Sequence, residues 1–126
     1  MLGYVMVGTN NLSEAKLFYD IVLEPLELVC VDTGEDMVAY APKYELEQIE
    51  FYVCKPFNKK LANNGNGTMV AFVVDSREAV ERFHKLGLER GGANEGCPRA
   101  RPTENDPYYA YIRDLDGNKI CAYCLK

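Results

Sequence analysis

The chain has no tryptophan and a single histidine in 126 residues. One histidine excludes any site that draws two imidazoles from the same chain. His84 falls on the second of two expected helices, beside Phe83, as a surface or boundary residue on the far side of the sheet from any pocket. That placement leaves no Ser-His-Asp or Cys-His arrangement. An excess of positive charge is also missing: Lys and Arg number 14 against 19 Asp and Glu, for a formal charge of −5. Nucleic acid is therefore not an expected partner, because phosphate binding needs a basic face, and Arg99-Ala100-Arg101 is a spot rather than a stripe. No apolar run approaches the about 20 residues that span a bilayer, so no membrane partner is expected. The opening MLGYVMVGTN lacks a basic segment and a long apolar one, so it does not read as an export signal and the expected compartment is the cytoplasm. The five cysteines form an odd set without the spacing of a disulfide scaffold, and are expected as reduced thiols. Cys121-Ala-Tyr-Cys124 lies in an alternating strand pattern, where positions three apart face opposite ways. It has no second pair to complete a zinc site.

The chain contains the same pattern twice. Hydrophobic residues at 48% and charged residues at 26% suffice for a folded core in one domain, residues 1–126. A strand over Leu2–Gly8 leads to Asn11, an N-cap with Glu14 three residues on. Leu12, Ala15, Phe18, Tyr19 and Val22 then recur at helical spacing, and Pro25 ends the helix. Strands follow over 26–31, 37–41 and 49–54. A polar Asn/Gly-rich connector, Asn58–Asn66, joins modules of about 1–57 and 66–126. The second module repeats the order: a strand over 68–74, a cap at Asp75 with Glu78, and a helix burying Ala79, Val80, Phe83 and Leu86. A weak strand is expected at Leu88–Arg90, with 91–102 as loop. Strands over 108–113 and 119–125 are joined by Asp114–Asn118, a hairpin loop with Gly117 left-handed. The expected fold class is α+β: two βαβββ modules forming a curved mixed sheet around a concave pocket, with helices on the outer face. The run Asp114, Asp116, Asn118 lacks the further carboxylates of a calcium loop. Asn64–Gly67 is no phosphate loop, since no Gly-Lys-Ser/Thr follows.

Nine tyrosines are the chemical surplus. A bulge at Gly117 pairs Tyr111 with Cys121 and Tyr109 with Tyr123, which puts these four on one face. They either simply pack a cleft or wall a binding pocket with rings, phenols and soft sulfur, suited to planar or cationic apolar ligands. Arg99, Arg101 and Asn105 lie in a polar stretch that is either a lid over that pocket or plain surface loop.

Three segments carry a resemblance that spans nearly the whole chain: the opening strand with N-N-L-S-E-A-K-L-F-Y-D, then G-N-G-T-M-V-A-F-V-V-D-S-R-E-A-V, then Y-Y-A-Y-I-R-D-L-D-G-N-K-I. In that order and spacing, the chain resembles the vicinal oxygen chelate superfamily, which includes glyoxalase I, extradiol dioxygenases, and bleomycin and fosfomycin resistance proteins. It looks most like the small glyoxalase/bleomycin-resistance-type members, which implies a homodimer. The resemblance also implies metal-ligand positions. Tyr4 stands where metal-using relatives usually carry His, Met69 where a second His is common, Cys121 where Glu is common, and Asn105 where a further His often lies. Phenol, thioether and thiol are poor donors for a divalent Lewis acid, so no cofactor is expected. Tyr4 and Met69 join Tyr109, Tyr111, Cys121 and Tyr123 as the expected ligand pocket. The leading expectation is a metal-independent small-molecule binding protein. Two alternatives stand beside it: a metal-dependent lyase, isomerase or dioxygenase of the same superfamily, and a pseudoenzyme whose dimer serves an interaction role. Whether the chain is an enzyme stays open, and no catalytic residue is assigned.

Overall fold

In the computed structural model, which describes residues 1–102 and 106–125, the doubling is carried through to strand order. The first module runs β1 (Val5–Gly8), α1 (Leu12–Val22), a short 3-10 turn (Glu24–Leu26), β2 (Leu28–Thr33), β3 (Met37–Pro42) and β4 (Phe51–Cys54). The second runs β5 (Met69–Val73), α2 (Arg77–Glu89), β6 (Ala93–Ala100), β7 (Tyr108–Arg113) and β8 (Lys119–Cys124). Hydrogen bonding divides these strands into two four-stranded sheets, ordered β1-β4-β3-β2 and β5-β8-β7-β6. In each, the strand before the helix pairs in parallel with the last strand of its module, and the other pairings are antiparallel. A helix must intervene before a parallel partner can be reached, and each module supplies one.

Helix α1 begins where the side chain of Asn11 accepts the Glu14 amide at 3.2 Å. Helix α2 is capped one residue later than its sequence implies, by Ser76, whose hydroxyl accepts the Ala79 amide at 3.1 Å. Leu88 and Glu89 belong to this helix and Arg90 caps its end, so no strand forms at 88–90. Gly91 then takes a left-handed φ of 99°, the usual way for a helix to stop. The strand lies further on. Residues 93–100, which carry no alternating pattern, form β6 because β7 holds them in register, with shifts between Asn94 and Gly96 and again between Gly96 and Arg99. Pro98 is tolerated there because β6 is an edge strand.

Both modules contribute to a common core. Phe18, Tyr19, Val22 and Leu23 pack with Val38, Tyr40, Phe51 and Val53 of the first sheet and with Phe83, Ile112, Ile120 and Ala122 of the second module. The rings of Phe51 and Phe72 meet edge to face at 5.3 Å across the two sheets. The hairpin Asp114–Asn118 fastens the halves. Gly117 is left-handed there (φ 86°), as its position requires. The buried Asp114 carboxylate accepts the amides of Asp116 and Asn118, each at 2.9 Å, and the Tyr19 hydroxyl of α1 at 2.5 Å. Asn118 donates to the Gly8 carbonyl at 2.9 Å, and Asp116 accepts the Asn10 amide at 2.9 Å. The aspartates are hairpin and inter-module chemistry rather than a calcium loop. Burial and the neighbouring Asp114 hold the Tyr19 phenol well above its ordinary pKa. Among the described residues, no helix is long and apolar enough to cross a membrane.

Candidate functional site

Strand alternation gives each sheet one face toward the core and one away from it. On the first sheet the outward face carries Met6, Met37, Tyr52 and Cys54, set by the pairings Met6 with Tyr52 and Met37 with Cys54. Tyr4 precedes β1 and sets its ring edge-on against Tyr52 at 4.9 Å. On the second sheet the pairings Tyr109 with Tyr123 and Tyr111 with Cys121 put those four residues together, as the hairpin register implies. The parallel pairings Met69 with Lys119 and Ala71 with Cys121 add Met69 to the same face.

The tyrosines of the second sheet form a ladder. Tyr109 lies nearly parallel to Tyr123, with centroids 4.9 Å apart and 9° between planes, and to Tyr111, at 6.0 Å and 8°. Arg101, just past β6, places its guanidinium carbon 5.1 Å from the Tyr109 centroid and 5.4 Å from that of Tyr111, and donates a hydrogen bond to the Tyr111 hydroxyl. Lys119 sits 5.3 Å from the centroid of Tyr111. Arg99 pairs opposite Tyr109 as part of β6, and Asn105 lies outside the described residues. His84 is buried on α2, its Nε2 2.8 Å from Asn94 Oδ1 of β6, as a packing residue.

The positions that the family resemblance marks for a metal fit one poorly. Tyr4 is 57% exposed and Met69 44%, while Cys121 is fully buried. Burial pushes the Cys121 thiol up to about 11, against the opposing pull of Arg101 and Lys119. Among the described residues no three His, Cys, Asp or Glu side chains are grouped to hold an ion. A phenol, a thioether and a buried thiol are not the donors of a hard divalent cation, and the ring contact of Tyr4 is to Tyr52 rather than toward Met69 or Cys121.

A cavity of about 1000 Å³ lies against the outward face of the first sheet. Met6, Met37 and Cys54 line it from the sheet, and Phe57 and Leu61 from the segment that follows β4. Cys54 Sγ lies 3.5 Å from Met6 Sδ, and burial raises the Cys54 thiol. Lys55, Lys59 and Lys60 also line it, with Asp36 paired to Lys55 at 3.7 Å. The segment is fixed at both ends. The Lys55 amide donates to the Asp36 carbonyl at 2.8 Å, and the Asn10 side chain grips the Ala62 backbone, Oδ1 accepting its amide at 2.7 Å and Nδ2 donating to its carbonyl at 3.2 Å. Sequence reasoning treats most of this stretch as connector; Phe57 and Leu61 bracketing its polar residues were the signal that it does more. Lys119 was also missed, as an unremarkable strand-end lysine.

No protein-family model matches the chain, and no curated protein does. Solved structures do. A glyoxalase/bleomycin resistance protein from Albidiferax ferrireducens T118 is 36% identical, with 98% of each chain covered and a TM-score of 0.86. A lactoylglutathione lyase from Agrobacterium tumefaciens shares the fold at 18% identity and a TM-score of 0.68, covering 98% of this chain and 92% of that one. The fosfomycin resistance protein FosX from Mesorhizobium loti does so at 16% and 0.67, covering 98% and 91%. The doubled βαβββ fold and the full-length identity place this chain in the glyoxalase/bleomycin resistance/dioxygenase superfamily, also called the vicinal oxygen chelate superfamily.

Proposed function

We propose that this protein binds a small apolar organic molecule without a resident metal. The observation that carries the reading is the cavity of about 1000 Å³ walled by Met6, Met37, Cys54, Phe57 and Leu61. That volume is at the upper end for ligand pockets, and an apolar wall with a few polar groups at its rim is the usual composition. Two flexible thioethers let the wall adapt to varied shapes. Phe57 and Leu61 are 103% and 84% exposed, apolar surface that an occupant of the cavity covers. The outward face of the second sheet, with Met69, Tyr109, Tyr111, Cys121 and Tyr123, is the second binding wall of this proposal, with Tyr4 at the edge of the first. A homodimer is the proposed assembly.

The test is a thermal-shift screen of the full chain against apolar drug-sized molecules, with metal analysis of protein purified without chelator. A ligand at a hundred times its dissociation constant stabilises by about 2.7 kcal/mol. The Met6→Arg substitution, at a position 54% exposed, is expected to fold normally and lose that shift. Retention of the full shift by Met6→Arg, or zinc, nickel, manganese or iron near one per chain with turnover that depends on it, overturns the proposal.

A further inference from the structure

Two cations converge on one ring of the tyrosine ladder, one from just past β6 and one from β8. Arg101 and Lys119 both lie within about 5.5 Å of the Tyr111 centroid, at 5.4 and 5.3 Å. Five ion pairs form among the described residues, and neither of these cations takes part in one. In a chain of formal charge −5 this is a local reversal of sign. The Tyr111 hydroxyl takes one guanidinium N–H of Arg101; a guanidinium carries five such donors and an ammonium three, so most of both sets stay available. The ladder is regular: its three rings are stacked, with planes 8° and 9° apart, so an added ring of the same orientation extends the stack. Gly96 stands opposite Tyr111 on β6, where any side chain would meet the ring at 2.7 Å, so that flank is bare backbone. Arg101 and Lys119 both also pull on the buried Cys121 thiol, which places their fields at the same point of the face.

We infer that Arg101, Lys119 and the Tyr109–Tyr111–Tyr123 ladder form a binding site for a planar organic anion of the aryl carboxylate class. The carboxylate lies between the guanidinium and the ammonium, where a fork of N–H donors suits its two oxygens. The aryl ring rests against the parallel tyrosines. A cationic aromatic ligand, which phenol content alone favours, is turned away, because the ring faces it would seek are already beside positive charge. The inference rests on the part of the proposed function that makes this face a binding wall, and names its ligand class; the site shares no residue with the cavity lining of the first sheet, so the cavity is tested separately.

The experiment is calorimetric and NMR titration of the full chain with 2-naphthoate, with cyclohexanecarboxylate and benzylammonium as comparisons. Saturable binding of one 2-naphthoate per chain is expected, weakening as salt rises because part of the attraction is Coulombic. Cyclohexanecarboxylate is expected to bind about fivefold or more weaker, and Arg101→Gln and Lys119→Gln each to weaken 2-naphthoate about tenfold, equivalent to about 1.4 kcal/mol. Melting points of these variants are expected to stay unchanged. Met37→Ala, in the cavity, is expected to leave this affinity alone while weakening any ligand found by the thermal-shift screen. Three results overturn the inference: benzylammonium binding as well as 2-naphthoate, both charge variants within about twofold of the parent, or no saturable 2-naphthoate binding. If the last comes with a dimer whose tyrosine resonances are protected from solvent, the occupant of this face is a second copy of the chain.

Discussion

Replacing Tyr19 by Phe removes one oxygen atom at the joint between the two modules. The hydroxyl donates to Asp114 Oδ2 at 2.5 Å, and both residues are buried, at 1% and 6% exposure. Without it, Oδ2 retains the Asn118 side-chain amide at 2.9 Å as its hydrogen-bond partner. A hydrogen bond to a charged acceptor contributes about 1.5–3 kcal/mol, and the buried oxygen loses a partner, so a loss of about 2 kcal/mol is expected. For a chain of this length that is a fall of about 6–10 °C in melting temperature. The urea midpoint should fall with an unchanged slope, since the folded surface is the same. The decisive assay is the double-mutant cycle with Asp114→Asn. The Asn side chain turns a donor toward Asn118 Nδ2, so that single variant costs more than Tyr19→Phe. The cycle isolates the pair, and a coupling of about 1–2 kcal/mol is expected. A coupling below about 0.5 kcal/mol refutes the claim that this contact locks the modules together.

The same burial gives a pH dependence. The Tyr19 and Tyr40 phenols are raised above their ordinary value by desolvation and by Asp114 and Asp20, respectively. Their stabilisation is complete below the unfolded pKa of about 10 and is lost as pH climbs beyond it toward the folded values. Denaturation midpoints should therefore hold up to about pH 10 and decline above it, less steeply in Tyr19→Phe once its lower starting stability is allowed for. Gly92→Ala places a Cβ 2.7 Å from the Arg113 carbonyl and 2.8 Å from that of Gly87, both backbone. It should cost about 2–3 kcal/mol in urea unfolding, while Gly3→Ala, with open space around it, should be neutral. Alkylation with iodoacetamide followed by mass spectrometry should label exposed Cys97 first and Cys121 last, because Cys121 is buried and its thiol stays protonated at neutral pH. Asn10→Ala frees Ala62 from two hydrogen bonds. It should cost about 1 kcal/mol, speed amide exchange at Ala62, and weaken any cavity ligand.

Most of the fold was legible because its signals are local and occur twice. Asn11 with Glu14 caps α1, and Leu12, Ala15, Phe18 and Val22 mark its apolar side before any contact is known. Gly117 sets the hairpin register from which the grouping of Tyr109, Tyr111, Cys121 and Tyr123 follows. The strand at 93–100 was not legible: Ala-Asn-Glu-Gly-Cys-Pro-Arg-Ala has no period, and only β7 imposes extension on it. The cavity was hidden for a similar reason. Its outer wall is a polar segment that acquires shape only when Asn10, 52 residues earlier, takes hold of Ala62. The charge of the tyrosine face was hidden too, because Arg101 and Lys119 meet over one ring only after β6 and β8 flank β7. Chemistry assembled by distant partners leaves little trace in any one stretch of chain.

Two of the four edge strands, β2 and β6, have a bearing on solubility. β2 slips register between Cys30 and Asp32, and β6 slips twice and carries a proline. Neither rim offers the unbroken row of amides and carbonyls onto which a stranger's strand could zip, the route by which doubled β-modules would polymerise end to end. These two rims are thus guarded against fibre growth by irregular backbone, at no cost to the sheet interiors.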